Sequence, residues 1–302
     1  MNRLAAIVVL TLAPTGAWAH GTLLRPVSRA VHLANDTSAG RCSLHSCEWY
    51  TQKTVAPGGA TNCERAHRTM GVSCGSSDPP DFPCASGSLA PWCAPGTAPV
   101  ASPCGVFAGG WPADIARGRD MRDLDPAPPE LWTAGQLVNV SMSIIANHGG
   151  GWVYRLCPAS APVTEECFQQ HTLPFEGGSQ WLVADNGTVL ASIPAVRVST
   201  GTTPRGSLWA RNPVPMFDGA LAPPHATLPS TRGPFGFSVV DQLRVPPELP
   251  AGEYVLSFRW DAEQTKQVWS QCGDVRVATD PAAPTAAVAA AAVAAAAVAA
   301  AA

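Results

Sequence analysis

A chain of 302 residues in which only 14% carry charge, with a formal charge of −3, gives no electrostatic footprint for nucleic acid. It exceeds the usual length of one domain, but all-β domains reach roughly 200–250 residues, so one domain with appendages is the expected count. Ten cysteines, an even number, point to disulfides formed in an oxidising compartment.

The chain opens as a secretory signal over residues 1–19. Arg3 is followed by an apolar run over 4–12 and by the small-x-small pattern Ala17, Trp18, Ala19. Cleavage after Ala19 removes one positive charge, taking the formal charge from −3 to −4, and makes His20 the first residue. A terminal histidine carries an α-amine and an imidazole Nδ1 that can grip one metal ion together. Their reference pKa values, roughly 7.7–8.0 and about 6.5, make both nitrogens available near neutral pH.

Residues 20–26 read as extended, with Pro26 ending or edging a strand because it cannot donate to a ladder. Over 41–111 the composition changes to Cys, Gly, Pro and Ser, including seven of the ten cysteines, which reads as a disulfide-stapled insertion. No C-x-x-C pair occurs, so the usual structural zinc ligand set is missing. Trp49, Tyr50 and Trp92 could present rings to a ligand or pack around the disulfides.

Strands become legible beyond Leu131. Residues 136–145 alternate apolar and polar, and 152–157 follow after three successive glycines, Gly149 to Gly151, that let another backbone or a flat ligand approach. Further strands are predicted at 181–183, 188–190, 195–198, 235–240, 254–260 and 273–277, the last two separated from what precedes by the turn at 250–253. Cys157 and Cys167 bracket a short excursion and are plausible partners, and Trp152 and Tyr154 read as core residues. The fold class is therefore all-β, an immunoglobulin- or fibronectin-like antiparallel sandwich over 20–278 with the insertion at 41–111. Residues 279–302 are Pro/Thr/Ala and then Ala/Val, a low-complexity appendage, with a lipid-anchor signal as the alternative reading. Asn35, Asn139 and Asn186 begin N-glycosylation sequons, as expected on a secretory route.

For the chemistry, the best third nitrogen is His148, at a strand end beside glycines, where the backbone is held and the ring open. Imidazole and amine donors in a planar set suit copper. His32, His45, His67, His171 and His225 read as ordinary surface or loop histidines.

Three segments in order resemble the lytic polysaccharide monooxygenases, particularly the branch with the chitin-binding type-4 domain and the related animal and algal enzymes. These are His20-Gly21-x-Leu23-x-x-Pro26-x-Ser28-Arg29, then Ala146-Asn147-His148-Gly149-Gly150 before Tyr154-Arg155-Leu156-Cys157, then Gly252-Glu253-Tyr254-Val255-Leu256-x-Phe258-Arg259-Trp260 running to Cys272-Gly273-Asp274-Val275. The resemblance implies copper held by the amine and Nδ1 of His20 and by the ring of His148. It implies an external electron donor, and oxidative cleavage, with peroxide or dioxygen, of an insoluble polysaccharide, chitin first and cellulose second, by a monomer. Where these enzymes often place an axial Tyr or Phe, this chain has Trp269. An indole brings no phenolic oxygen but can shield an axial face; packing in the core is its other reading. Glu263 and Gln267 are close by in sequence and could reach an open copper position through water. A non-catalytic polysaccharide-binding module and a copper-handling protein are the alternatives from other classes.

Overall fold

The computed structural model describes residues 20–35, 51–53, 95–96, 100, 102–107, 119–146, 149–184, 186–214, 237–261 and 267–278. In chain order the strands are β1 (His20–Arg25), β2 (Thr51–Lys53), β3 (Val106–Phe107), β4 (Arg119–Asp120), β5 (Glu130–Thr133), β6 (Leu137–Ala146) and β7 (Gly151–Pro158). They continue with β8 (Phe175–Ala184), β9 (Val189–Pro194), β10 (Arg197–Val198), β11 (Trp209–Arg211), β12 (Phe237–Arg244), β13 (Gly252–Asp261) and β14 (Gln267–Ala278). Among the described residues two short α-helices, α1 (Arg29–Asn35) and α2 (Glu165–Gln170), punctuate the loops. Among the described residues one sheet runs β1-β6-β12-β8-β9 and a second runs β10-β11-β7-β13-β14-β2, with β5 joined to β14.

Alternation builds the space between the sheets. Val138, Val140, Met142 and Ile144 of β6 face Trp152, Tyr154 and Leu156 of β7 and Tyr254, Leu256, Phe258 and Trp260 of β13 in one apolar cluster. The all-β sandwich expected from the sequence is the fold observed, and the core reading of Trp152 and Tyr154 holds, both being fully buried. Cys157 is bonded to Cys167, and Cys104 is bonded to Cys272 across 168 residues of chain.

Three features depart from the sequence expectations. The four-residue β5 pairs with β14 in parallel, so that sheet is mixed rather than purely antiparallel; with Leu131 70% exposed, β5 has too little apolar pattern to announce itself. The segments at 181–183 and 273–277 are parts of the longer β8 and β14, whose remaining halves carry Gly, Ser and Gln. The third concerns β13, whose alternation predicts one wet face: Tyr254 to Asp261 are all buried.

What buries the polar face of β13 is an ionic network. Glu165 of α2 accepts through Oε1 from Arg155 Nη1 and Arg259 Nη1, both at 2.6 Å. Arg259 Nε also reaches Asp261 Oδ1 at 2.8 Å, and Asp261 Oδ2 accepts the Gly96 N–H at 2.8 Å, tying a piece of the Cys-rich region to the strand end. Trp209 lies with its ring under the Arg259 guanidinium, 5.8 Å away. Burial works against the Glu165 charge, but the two guanidiniums outweigh it and hold the carboxyl below its ordinary value.

A second acid stands inside the apolar row of β12. Asp241 is fully buried and accepts from Trp152 Nε1 at 2.7 Å, Gln180 Nε2 at 3.0 Å and Arg197 Nη2 at 3.3 Å. Here burial prevails and its pKa rises above the ordinary 3.8. The two acids therefore act on stability with opposite sign. Asp241 binds its proton more tightly in the folded state, so its contribution is lost as pH climbs from about 4 through the raised value. Glu165 contributes fully above its ordinary 4.5 and loses that contribution as pH falls through the lowered value. Asp241→Asn is expected to gain stability relative to the parent as pH rises above about 4, read from denaturant midpoints across the acidic range; a constant difference would contradict the raised pKa.

Candidate metal centre

One end of the sandwich gathers the segments that the sequence singled out. His20 opens β1, and its Cα partner is Ala146, the last residue of β6. Asn147 and His148 lie outside the described residues, as do the side chain of His20, all of Glu263, and the side chain of Gln267, whose backbone begins β14. The chain returns at Gly149 and Gly150, both left-handed with φ of 61° and 75°, a conformation natural to glycine. Gly150 accepts the Asn212 N–H at 2.9 Å, and β7 begins one residue later. The close approach foreseen for the glycine run is thus made by the protein's own backbone and, at Gly149, by a tryptophan.

That tryptophan is Trp260, near the end of β13. Its Nε1 donates to the Gly149 carbonyl at 2.8 Å. Its six-membered ring lies against Gly21, where a Cβ would stand 2.8 Å from both Cε3 and Cζ3 and 3.1 Å from Met142 Cε. Trp260 is fully buried, with the Trp152 ring edge-on at 6.4 Å. It has no room to retreat. Gly21→Ala is therefore expected to cost about 1–3 kcal/mol through overpacking, read as a lowered denaturant midpoint. An unchanged midpoint would show that the contact is slack.

The other side of β1 is held from β14. Gln271 is fully buried; its Oε1 accepts the Leu23 N–H at 2.6 Å and its Nε2 donates to the Gly21 carbonyl at 3.4 Å. Further along, Ser28 bridges to Gly273, and Arg29 forms a two-point ion pair with Asp274 at 3.0 and 2.7 Å. Trp269 is 1% exposed within the core cluster and is the Cα partner of Trp260. Trp260 entered the sequence reading only as the last residue of the matched segment 252–260, and Gln271 was not named there. The available signal was Gln271 itself, an amide two residues from Trp269 on the same strand face.

Among the described residues no group of three or more His, Cys, Asp and Glu side chains could hold a metal ion. The pairing of His20 with Ala146 brings the strand that His20 opens beside the end of β6, and nitrogen donors gathered at that point would suit copper. None of the helices among the described residues is long and apolar enough to cross a membrane.

No protein-family profile matches the chain. Among solved structures it is similar to a chitin binding domain from Burkholderia pseudomallei, at 17% identity over 86% of this chain and 100% of that one, with a TM-score of 0.35. It is similar to the lytic polysaccharide monooxygenase AA15 from Thermobia domestica in the Cu(I) state, at 13% identity over 85% and 98% of the two chains, with a TM-score of 0.41. An AA10 lytic polysaccharide monooxygenase from Streptomyces lividans gives 13% identity over 85% and 99%, with a TM-score of 0.33.

Proposed function

We propose that the chain is a secreted, copper-dependent lytic polysaccharide monooxygenase, cut after Ala19 so that His20 leads the mature protein. The observation that carries this reading is the pairing of His20 with Ala146, two residues before His148, together with the single indole that touches Gly21 and hydrogen-bonds Gly149. The residues next to both candidate ligands are thereby fixed to one rigid side chain. Copper held there would supply, once an external donor has reduced it, the activation of peroxide or dioxygen that oxidises a glycosidic carbon and so breaks the chain.

The roles of the protein's own groups follow. His20 provides the amine and Nδ1, and His148 the third nitrogen. Glu263 and Gln267 would orient the oxidant through water, and Trp269, from within the core, would shield the metal from one side. The substrate is an insoluble polysaccharide, chitin before cellulose, lying on a flat end of a monomeric sandwich, so no groove is required. The sequons carry glycans in a host that makes them.

The test uses protein whose first residue has been verified. One-to-one tight Cu(II) binding, and oxidised oligosaccharides released from chitin or cellulose with ascorbate and peroxide, are the expected results. Tight binding without oxidised sugar on any insoluble glycan would favour a copper-handling protein; adsorption to glycan without copper binding would leave a non-catalytic binding module.

A further inference from the structure

We propose that Gln271 and Trp260 are positioning residues that fix where residue 20 stands, so that copper affinity at the proposed centre depends on a buried carboxamide and a buried indole. The inference rests on the copper reading above.

The need for such a device lies in β1. It is six residues long, it sits at the edge of its sheet, and its pairing with β6 is interrupted between His20 and Gly21 and again between Leu23 and Arg25. Chain starts held by so few ladder bonds fray. A metal grip sharing two nitrogens of the first residue tolerates little of that, because displacements on the order of 1 Å at a reacting centre are costly.

Gln271 supplies what the edge lacks. Its carboxamide offers one acceptor to Leu23 N–H and one donor to Gly21 C=O, the same pair of groups that a neighbouring strand would engage, but it comes from the opposite sheet. Trp260 then selects the register. Only a residue without a side chain fits against its ring at 2.8 Å, and in β1 that residue is Gly21. A slip by one position would drive Thr22 or His20 into the ring and turn every side chain of β1 to the other face. With Gly21 seated, residue 20 is the first beyond the clasp, and the same indole holds Gly149, the neighbour of His148.

The experiment compares correctly processed parent, Gln271→Leu, Gln271→Glu and a control, Val277→Ala, in Cu(II) titration, in copper EPR and in amide exchange at Leu23. Val277 is a buried core residue in the last part of β14, so its truncation lowers stability without touching β1. Gln271→Leu is expected to weaken copper binding about 10–100-fold and to change the EPR hyperfine pattern, as changes behind a metal ligand do. Gln271→Glu, which keeps the acceptor for Leu23 but not the donor for Gly21, should fall between. Exchange at Leu23 should quicken in Gln271→Leu beyond that in Val277→Ala. Parent-like affinity and spectrum in Gln271→Leu, or an equal loss of affinity in Val277→Ala, would overturn the proposal. If the parent itself binds no copper, the functional reading fails; Leu23 exchange then still reports on the clasp, and unchanged exchange in Gln271→Leu would refute it separately.

Discussion

Protein carrying one extra residue ahead of His20 is expected to bind Cu(II) on the order of a hundredfold more weakly than protein that begins at that histidine. The added residue converts the α-amine into an amide nitrogen, whose lone pair is delocalised into the carbonyl and which can ligate only after the metal has displaced its proton. The roughly 10–16 kcal/mol of a four-ligand structural zinc site, divided among its donors, sets a scale of about 3 kcal/mol for one donor, which is that factor. His148→Ala removes one imidazole and should weaken binding by a similar factor. Removal of the extra residue by a site-specific protease should restore the affinity, while the denaturant midpoint of the copper-free protein stays the same. Equal affinity with and without the extension would mean that the amine is no ligand and that the copper reading of His20 is wrong.

The second large effect is on stability. Glu165→Ala is expected to cost about 3–5 kcal/mol, because it takes the shared carboxylate away from two guanidiniums that water does not reach. Among the described residues Arg155 would keep the Ser257 hydroxyl at 3.0 Å and the face of Phe168, with Asp261 acting on its charge from further off. Arg259 would still have Asp261. For a domain of this size such a loss lowers Tm by roughly 6–20 °C. Glu165→Gln, which preserves an acceptor and deletes the charge, should cost less. A Tm within a degree or two of the parent in Glu165→Ala would show that the network contributes little.

How far the sequence disclosed this molecule depends on which interactions were being asked for. The sandwich was legible because β6 and β12 alternate and β12 buries one face with period two, although β7 and β13 turned out to be buried on both faces. The motif segments were legible as segments, but the part each plays was not. Arg29 and Asp274, some 245 residues apart, are one buried ion pair; Arg155 and Arg259 share one glutamate; Trp260 holds two glycines. Each is a pairing between distant strands, and a pattern of types along the chain carries no information about which distant residue answers which. Asp241 was invisible for the same reason, since an acid in an apolar row makes sense only once Trp152, Gln180 and Arg197 surround it. For the candidate centre, the sequence named His20 and His148, and the structure adds the pairing of His20 with Ala146 and the clasp behind Gly21. Their imidazoles, Glu263 and the Gln267 side chain lie outside the described residues.

The bond between Cys104 and Cys272 has a consequence for biosynthesis. Its second sulfur arrives with the final strand, after 168 more residues have left the ribosome. Until then the first thiol waits among the neighbouring cysteines of its region, exposed to premature and incorrect pairing, so an isomerase able to undo such mistakes should raise the yield of native product. A chain cut short before residue 272 would carry a permanently orphaned sulfhydryl, detectable by alkylation and mass spectrometry.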